Sequence, residues 1–260
     1  MVFLSMSSIN TIENWFFVRG LVRESGHWHD FIQKFQQKFP HRNVFLLDLP
    51  GNGEHYFKKS PYSIREMSDF LREDFFKKLP KKSPATAKNY LFSISLGSMV
   101  CLEWMQKYPN DIAGAFLINT SLRGLSPFYR RLRPQNYFKI LKLFFSTSPL
   151  KIEKEILSIT SNNHAFNEQI AMEWEKIHIL RPVSKKNALA QIIAAASYLP
   201  KKQKPSANIQ LLASYSDRLV HFSCTEKIQK LWGVKAYYHE TAGHDLTLDA
   251  SEWVLEKCSI

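Results

Sequence analysis

Cysteine is scarce in this chain of 260 residues. Its three copies, Cys101, Cys224 and Cys258, make an odd count without metal-ligand spacing. A disulfide scaffold is therefore not expected, and a reducing cytoplasm suits the chain better than an oxidising compartment. No apolar run approaches the roughly 18–20 residues that a membrane-crossing helix needs. The opening stretch MVFLSMSSIN lacks a basic n-region, and its apolar run is too short for a signal peptide. Repeats and low-complexity tracts are missing as well. What is there is an ordinary globular balance, 45% hydrophobic and 22% charged, enough for one large α/β domain or two small ones.

Acidic residues fall short of basic ones, 23 against 35, for a net charge of +12. The excess is local. From Ser121 to Pro205 there are 15 Lys and Arg against 5 Asp and Glu, whereas the rest of the chain carries 20 against 18. A basic segment on a near-neutral body suggests a face for an acidic partner; a solvated lysine-rich surface is the plainer alternative.

Apolar runs alternate with helical spacing along most of the chain. Strands are expected at Trp15–Arg19, Asn43–Leu47, Asn89–Ile94, Gly114–Asn119, Ile209–Ser214 and Val234–His239. Helices are expected near His27–Lys38, Ile64–Lys78, Ser95–Tyr108, His221–Trp232 and Leu248–Lys257. This alternation predicts an α/β fold: a mainly parallel sheet of about six strands with helices on both faces. Right-handed crossovers then gather the loops that follow the strands along one edge. Between Asn119 and Ile209 the alternation stops. Four helices are expected there, around Gln135–Phe145, Ile152–Ile159, Asn167–Leu180 and Lys185–Tyr198, punctuated by six prolines. The division that follows is a core of residues 1–120 and 206–260 with a helical cap of 121–205. A separate helical domain with its own core is the alternative.

One stretch, NYLFSISLGSM (residues 89–99), bears on chemistry. A buried strand ends there, a helix begins at once, and Ser95 stands at the apex. A serine in that place is either a tight-turn residue or a nucleophile set at the positive end of a helix. His27, Trp28 and His29 (HWHD) read as surface and packing residues, not metal ligands.

Five segments in order, each at the end of an expected strand, give the chain its likeness to a known family. RGLVRESGHW follows the first strand, LLDLPGNGEH the second, SISLGS the third, and YSDRLV and TAGHDL the last two. Together they resemble the α/β-hydrolase fold family over nearly the whole chain. SISLGS is similar to the family's Gly-x-Ser-x-Gly elbow, and the order Ser95, Asp217, His244 matches its nucleophile, acid and base. The resemblance implies that Ser95 attacks an acyl carbon, that His244 moves the proton and that Asp217 orients the imidazole. It implies an oxyanion hole made by the backbone N–H groups of Leu96 and Leu21. His239 and His221 are rival bases, but the first would end a strand and the second begin a helix. The family's His-Gly is Arg19-Gly20 here, so Arg19 would brace the loop or line the site. Ser93 replaces the elbow's first glycine. No cofactor and no metal are implied.

These readings point to a serine hydrolase of esters or thioesters, with C–C bond and lactone hydrolysis as alternatives within the fold. A non-catalytic ligand-binding or scaffold protein on the same fold is the alternative outside enzymes. Phe128, Tyr137, Phe138, Phe144, Phe145 and Trp174 include candidates to line the acyl pocket. Arg123, Arg130, Arg131 and Arg133 are candidates to bind a phosphate or an acidic carrier. In layout and charge the chain resembles the pimeloyl-[acyl-carrier protein] methyl ester esterases of biotin biosynthesis, which implies an acyl carrier protein as partner. No nucleic-acid partner and no stable membrane insertion are expected.

Overall fold

The computed structural model of the protein describes residues 12–80 and 86–259; the opening stretch MVFLSMSSIN lies outside them. Six strands form one sheet: β1 (Glu13–Val18), β2 (Arg42–Leu47), β3 (Lys88–Ile94), β4 (Gly114–Ile118), β5 (Asn208–Ser214) and β6 (Lys235–His239). Their order is β2-β1-β3-β4-β5-β6, and every pair is parallel. Each lies within two residues of its expected position. The strands are legible because a parallel sheet is covered on both faces, so its members are short continuous apolar runs.

Alternate side chains feed two cores. Phe16, Val18, Leu91, Ala115, Leu117 and Leu211 face one layer of helices. That layer holds α2 (Ile64–Lys78), α3 (Leu96–Lys107) and α9 (Ser223–Trp232). Trp15, Phe17, Phe92, Phe116, Ile118 and Leu212 face the other. It holds α1 (Phe31–Lys38) and α11 (Ser251–Lys257), preceded by the single turn α10 (Leu246–Asp249). All three cysteines are buried and unbridged. Among the described residues no helix is long and apolar enough to cross a membrane.

Five helices fill the interval between β4 and β5: α4 (Phe128–Arg131), α5 (Tyr137–Phe145), α6 (Pro149–Thr160), α7 (Glu168–Leu180) and α8 (Lys185–Ser197). The last three start where their caps dictate. The side chains of Ser148, Asn167 and Ser184 accept from the backbone N–H groups of Lys151, Ile170 and Asn187. α6 and α7 share a small cluster of Leu157, Ala171 and Trp174, against which Leu248 packs. α8 instead gives Ala194 to the main core, and Tyr198 follows it there.

Three helical expectations differ from the structure. The helix expected at His27–Lys38 is a 3₁₀ turn, Ser25–Trp28, then α1, because His29 takes φ 49° and ψ −133° and breaks the ladder. The helix expected at Leu248–Lys257 is divided at Ala250, whose φ of −146° and ψ of 47° are not helical. α4 was not expected, since four residues are too few for a periodic signal.

The chain reverses direction around β1. It crosses from β1 to β2 on one side, then returns past β1 to build β3 and the rest on the other. In an open parallel sheet this reversal leaves a crevice beyond the carboxyl ends of the two flanking strands. Those ends are Val18 and Ile94, so Arg19–Leu21 and Ser95 stand at its mouth.

Candidate active site

Ser95 joins β3 to α3 with φ 56° and ψ −117°. A positive φ is costly for a residue with a Cβ and persists only where the surroundings over-determine it. Here its N–H donates to Ile118 O (2.8 Å), and its carbonyl accepts from Ser98 N (3.1 Å) and Thr120 Oγ1 (3.0 Å). Two glycines let the chain come this close. A Cβ on Gly97 would lie 2.5 Å from Arg19 O and 2.8 Å from Val18 O, and one on Gly20 would lie 3.2 Å from Ser95 Cβ. Ser93, in place of the elbow glycine, is wholly buried without strain. Its Oγ lies 3.1 Å from Ser98 Oγ and 3.3 Å from Phe116 O, while Ser98 Oγ donates to Ser93 O (2.8 Å).

His244 and Asp217 meet in the interior. His244 Nδ1 lies 2.7 Å from Asp217 Oδ2, and both side chains are almost fully buried. The other carboxylate oxygen, Asp217 Oδ1, accepts from Leu219 N (2.7 Å) and Val220 N (2.9 Å). With the carboxylate taking the Nδ1 proton, Nε2 is left as an acceptor. Among the described residues Ser95 Oγ has no hydrogen-bond partner. Bonds of this kind commonly tighten only when substrate is present. His239 and His221 are elsewhere: His239 Nδ1 accepts from Ala242 N, and His221 Nδ1 accepts from Ser223 N.

Ser95 and His244 line one cavity of about 560 Å³, together with Leu21, Leu96 and Asp245. Leu96 N–H opens α3 and so has no partner within the helix. The loop carrying Leu21 is held from the cap, where Gln191 Oε1 accepts from Val22 N (3.0 Å). Of the six aromatic residues expected at the pocket, Phe128, Phe144 and Trp174 line it; Tyr137, Phe138 and Phe145 do not and are exposed.

The arginines are placed otherwise than as a free basic face. Arg19 lines the cavity, yet it is buried and paired with Asp245 (Nη1–Oδ1 3.1 Å, Nη2–Oδ2 2.5 Å), and its guanidinium lies over the Trp28 ring. It braces the first loop against the histidine loop. Arg131 is also buried and donates to Ala195 O and Ala196 O, while Arg123 donates to Ser197 O, so the two hold the final turn of α8. Arg133 donates to Asp217 O (2.8 Å) and Arg130 to Ser223 Oγ (2.9 Å). Their donors answer orphan helix-end carbonyls and loop groups of the protein itself.

Three further pairs escaped the sequence reading. Arg23 binds Glu153 of α6 (2.7 Å), which also meets His178 of α7 (2.8 Å); Glu24 binds Arg181 at the end of α7 (Nε–Oε2 2.6 Å). Asn119, at φ 45°, donates to His244 O (2.7 Å) and accepts from Ser214 N (3.1 Å), stapling the ends of β4 and β5 to the histidine loop. Charged and amide side chains in loops carry no periodic signal, so only the fold reveals these partners. Burial acts most strongly on Asp245 and opposes its ionisation, yet Arg19 and Thr247 together hold its carboxyl below the usual range. Burial, then the charges of Arg23 and Arg19, push His27 well below the ordinary histidine value, so it stays neutral. Away from the cavity Glu54, His55 and Asp74 come together, but the Lys78 ammonium already bridges the two carboxylates.

The sheet, its reversal and the helices around it define an α/β-hydrolase fold. Residues 13–251 match the family described as serine aminopeptidase, S33, and the chain belongs to that family. Comparison by sequence with curated proteins finds no match. Among solved structures the chain is similar to lip1 of Acinetobacter baumannii AYE, a candidate lipase, with TM-score 0.72, 21% identity, and 96% of this chain and 83% of that one covered. It is similar to a thermophilic esterase from Thermogutta terrifontis, with TM-score 0.68, 17% identity and coverage of 95% and 88%. It also resembles CarC, a serine hydrolase involved in carbazole degradation, with TM-score 0.70, 12% identity and coverage of 95% and 90%. At these identities the likeness is one of fold.

Proposed function

We propose that the protein is a serine hydrolase that cleaves carboxylic esters through an acyl-enzyme on Ser95. The observation that supports this reading is that a serine at a positive φ and a carboxylate-bound histidine both line one cavity. Ser95 Oγ attacks the acyl carbon and passes its proton to His244 Nε2. Asp217 holds the imidazole through Nδ1 and stabilises the imidazolium. The oxyanion is met by the N–H groups of Leu96 and Leu21. His244 returns the proton to the departing alcohol, and water then releases the acid by the same steps in reverse.

The cavity favours an apolar acyl chain. Ile140, Leu143, Phe144, Ile152, Ile156 and Ile159 supply its cap side. Peptide substrates, which the family's description suggests, fit less well. A peptide N-terminus needs a free acidic anchor, and the cavity's carboxylates Glu24, Glu153 and Asp245 are each paired with an arginine. A carrier-bound acyl ester, such as a pimeloyl-carrier methyl ester, is compatible with the pocket. The four cap arginines lend it no special support, because their donors serve the protein's own backbone and side chains.

Labelling tests the reading directly. A fluorophosphonate should modify the wild-type protein at Ser95. Ser95→Ala should melt at the same temperature, lose all labelling and lose turnover of p-nitrophenyl esters. Labelling of folded Ser95→Ala, or no labelling of the wild type, would overturn the assignment and return the chain to a binding role.

A further inference from the structure

The helix α5 is apolar on two opposite sides, and only one of them has work in the pocket. Ile140, Leu143 and Phe144 face the cavity. Phe138, Leu141 and Phe145, spaced three and four apart, lie on the outer side. They are 66%, 53% and 77% exposed, and no residue of the helix is buried. Three large apolar side chains on one exposed helical face are unusual for a soluble surface and mark a contact.

The chain segment that carries this face is basic in sequence. Between Asp111 and Glu153 the sequence holds no acidic residue; apart from the four arginines, whose donors bind groups of the protein itself, it carries Lys139, Lys142 and Lys151. Lys142 Nζ lies 4.5 Å from the Phe138 ring centroid, so charge and apolar surface share one place. Lys139 reaches Glu155 at 3.6 Å, a half-exposed pair that leaves the local balance positive.

We propose that the outer face of α5 docks peripherally on an anionic lipid surface. A wholly polar acidic surface would meet the lysines and leave the phenylalanines in water. A lipid interface satisfies both, with anionic headgroups for the lysines and the acyl boundary, about 5–10 Å deeper, for Phe138, Leu141 and Phe145. Nine residues cannot span a bilayer, so the helix lies along the interface. The docking does not depend on the chemistry at Ser95, because none of the three outer residues lines the cavity.

Vesicle sedimentation tests it. At low salt the wild-type protein should sediment with vesicles of phosphatidylcholine and phosphatidylglycerol at least about tenfold better than with phosphatidylcholine alone, and the difference should shrink as salt rises. Phe138→Ser with Phe145→Ser should weaken sedimentation by about tenfold or more while the melting temperature and hydrolysis of a short soluble ester stay unchanged. Lys142→Glu with Lys151→Glu, both at exposed positions, should remove the preference for anionic vesicles. Absence of wild-type sedimentation, or equal sedimentation of wild type and both double variants, would overturn the proposal. So would a wild-type dimer in gel filtration that the phenylalanine variant dissociates, since the face would then belong to a second copy.

Discussion

Asp217 shows how much at the residue scale rests on which atom carries a proton. Its Oδ1 takes two backbone N–H groups and its Oδ2 faces His244 Nδ1. In Asp217→Asn the amide oxygen can keep the backbone bonds, so the loop should survive. The amide nitrogen then faces Nδ1 and donates to it, which moves the imidazole proton to Nε2. That nitrogen can no longer take the proton that the proposed mechanism draws from Ser95. Turnover should fall by about 10⁴ with little change in melting temperature, as triad substitutions of this kind do. Steady-state rates and a thermal melt check both halves; near-wild-type turnover would mean that the acid lies elsewhere. Ser95, Asp217 and His244 were readable as a candidate set because their order and their places after strands are encoded in sequence. The bracing role of Arg19 was expected but its partner Asp245 was not, and Asn119 and the Arg23–Glu153–His178 cluster were not read at all, because Arg19–Asp245, Asn119–His244 and Arg23–Glu153 each join residues more than a hundred positions apart.

At the scale of elements, strands were read to within two residues from short apolar runs bounded by turn residues; the inner strands are mostly buried, the edge strands β2 and β6 only half so. Helix interruptions were missed because they come from single backbone angles, at His29 and Ala250. The elbow lies between these cases. Its glycine spacing was visible, but the reason for Gly97 was not. α3 starts against the carbonyls of Val18 and Arg19, at distances no Cβ tolerates. Alanine would gain up to about 1 kcal/mol of helix propensity at an ordinary interior position. Here it would push against fixed backbone, a cost of about 1–3 kcal/mol. Gly97→Ala should therefore lower the urea midpoint and shift the loop that bears Leu21. Its turnover should fall further than its stability explains. A more stable Gly97→Ala protein would show that the loop moves freely.

For the whole molecule, the first loop is a clamp. Arg19 grips the histidine loop, Arg23 grips α6 and α7, and Glu24 grips the end of α7, so cap and core share buried charges. The same loop leads into His27, which is kept neutral by burial first and then by the charges of Arg23, Arg19 and His29; a bond with the Glu24 backbone opposes them only partly. A histidine held below its ordinary value of 6.5 binds fewer protons folded than unfolded. Its contribution to stability is thus complete above that pH and is lost as pH falls below it, towards the folded value. His29 and His221, lowered chiefly by burial, act in the same direction. Asp245 and Glu153, for which burial opposes ionisation but the arginines prevail, are held below 3.8 and 4.5 and add a second loss in that lower range. The melting temperature should therefore be highest near neutrality, decline from pH 7.5 to 5.5, and drop more steeply below 4.5. His27→Asn can keep the bond from Glu24 N through its amide oxygen but cannot titrate. It should shrink the upper decline, leaving the share of His29 and His221, and should not alter the lower one. Thermal melts across this range test the sign: a wild-type melting temperature that rises on acidification to pH 5.5, or a variant that declines as much as the wild type, would show that the fold does not hold His27 neutral.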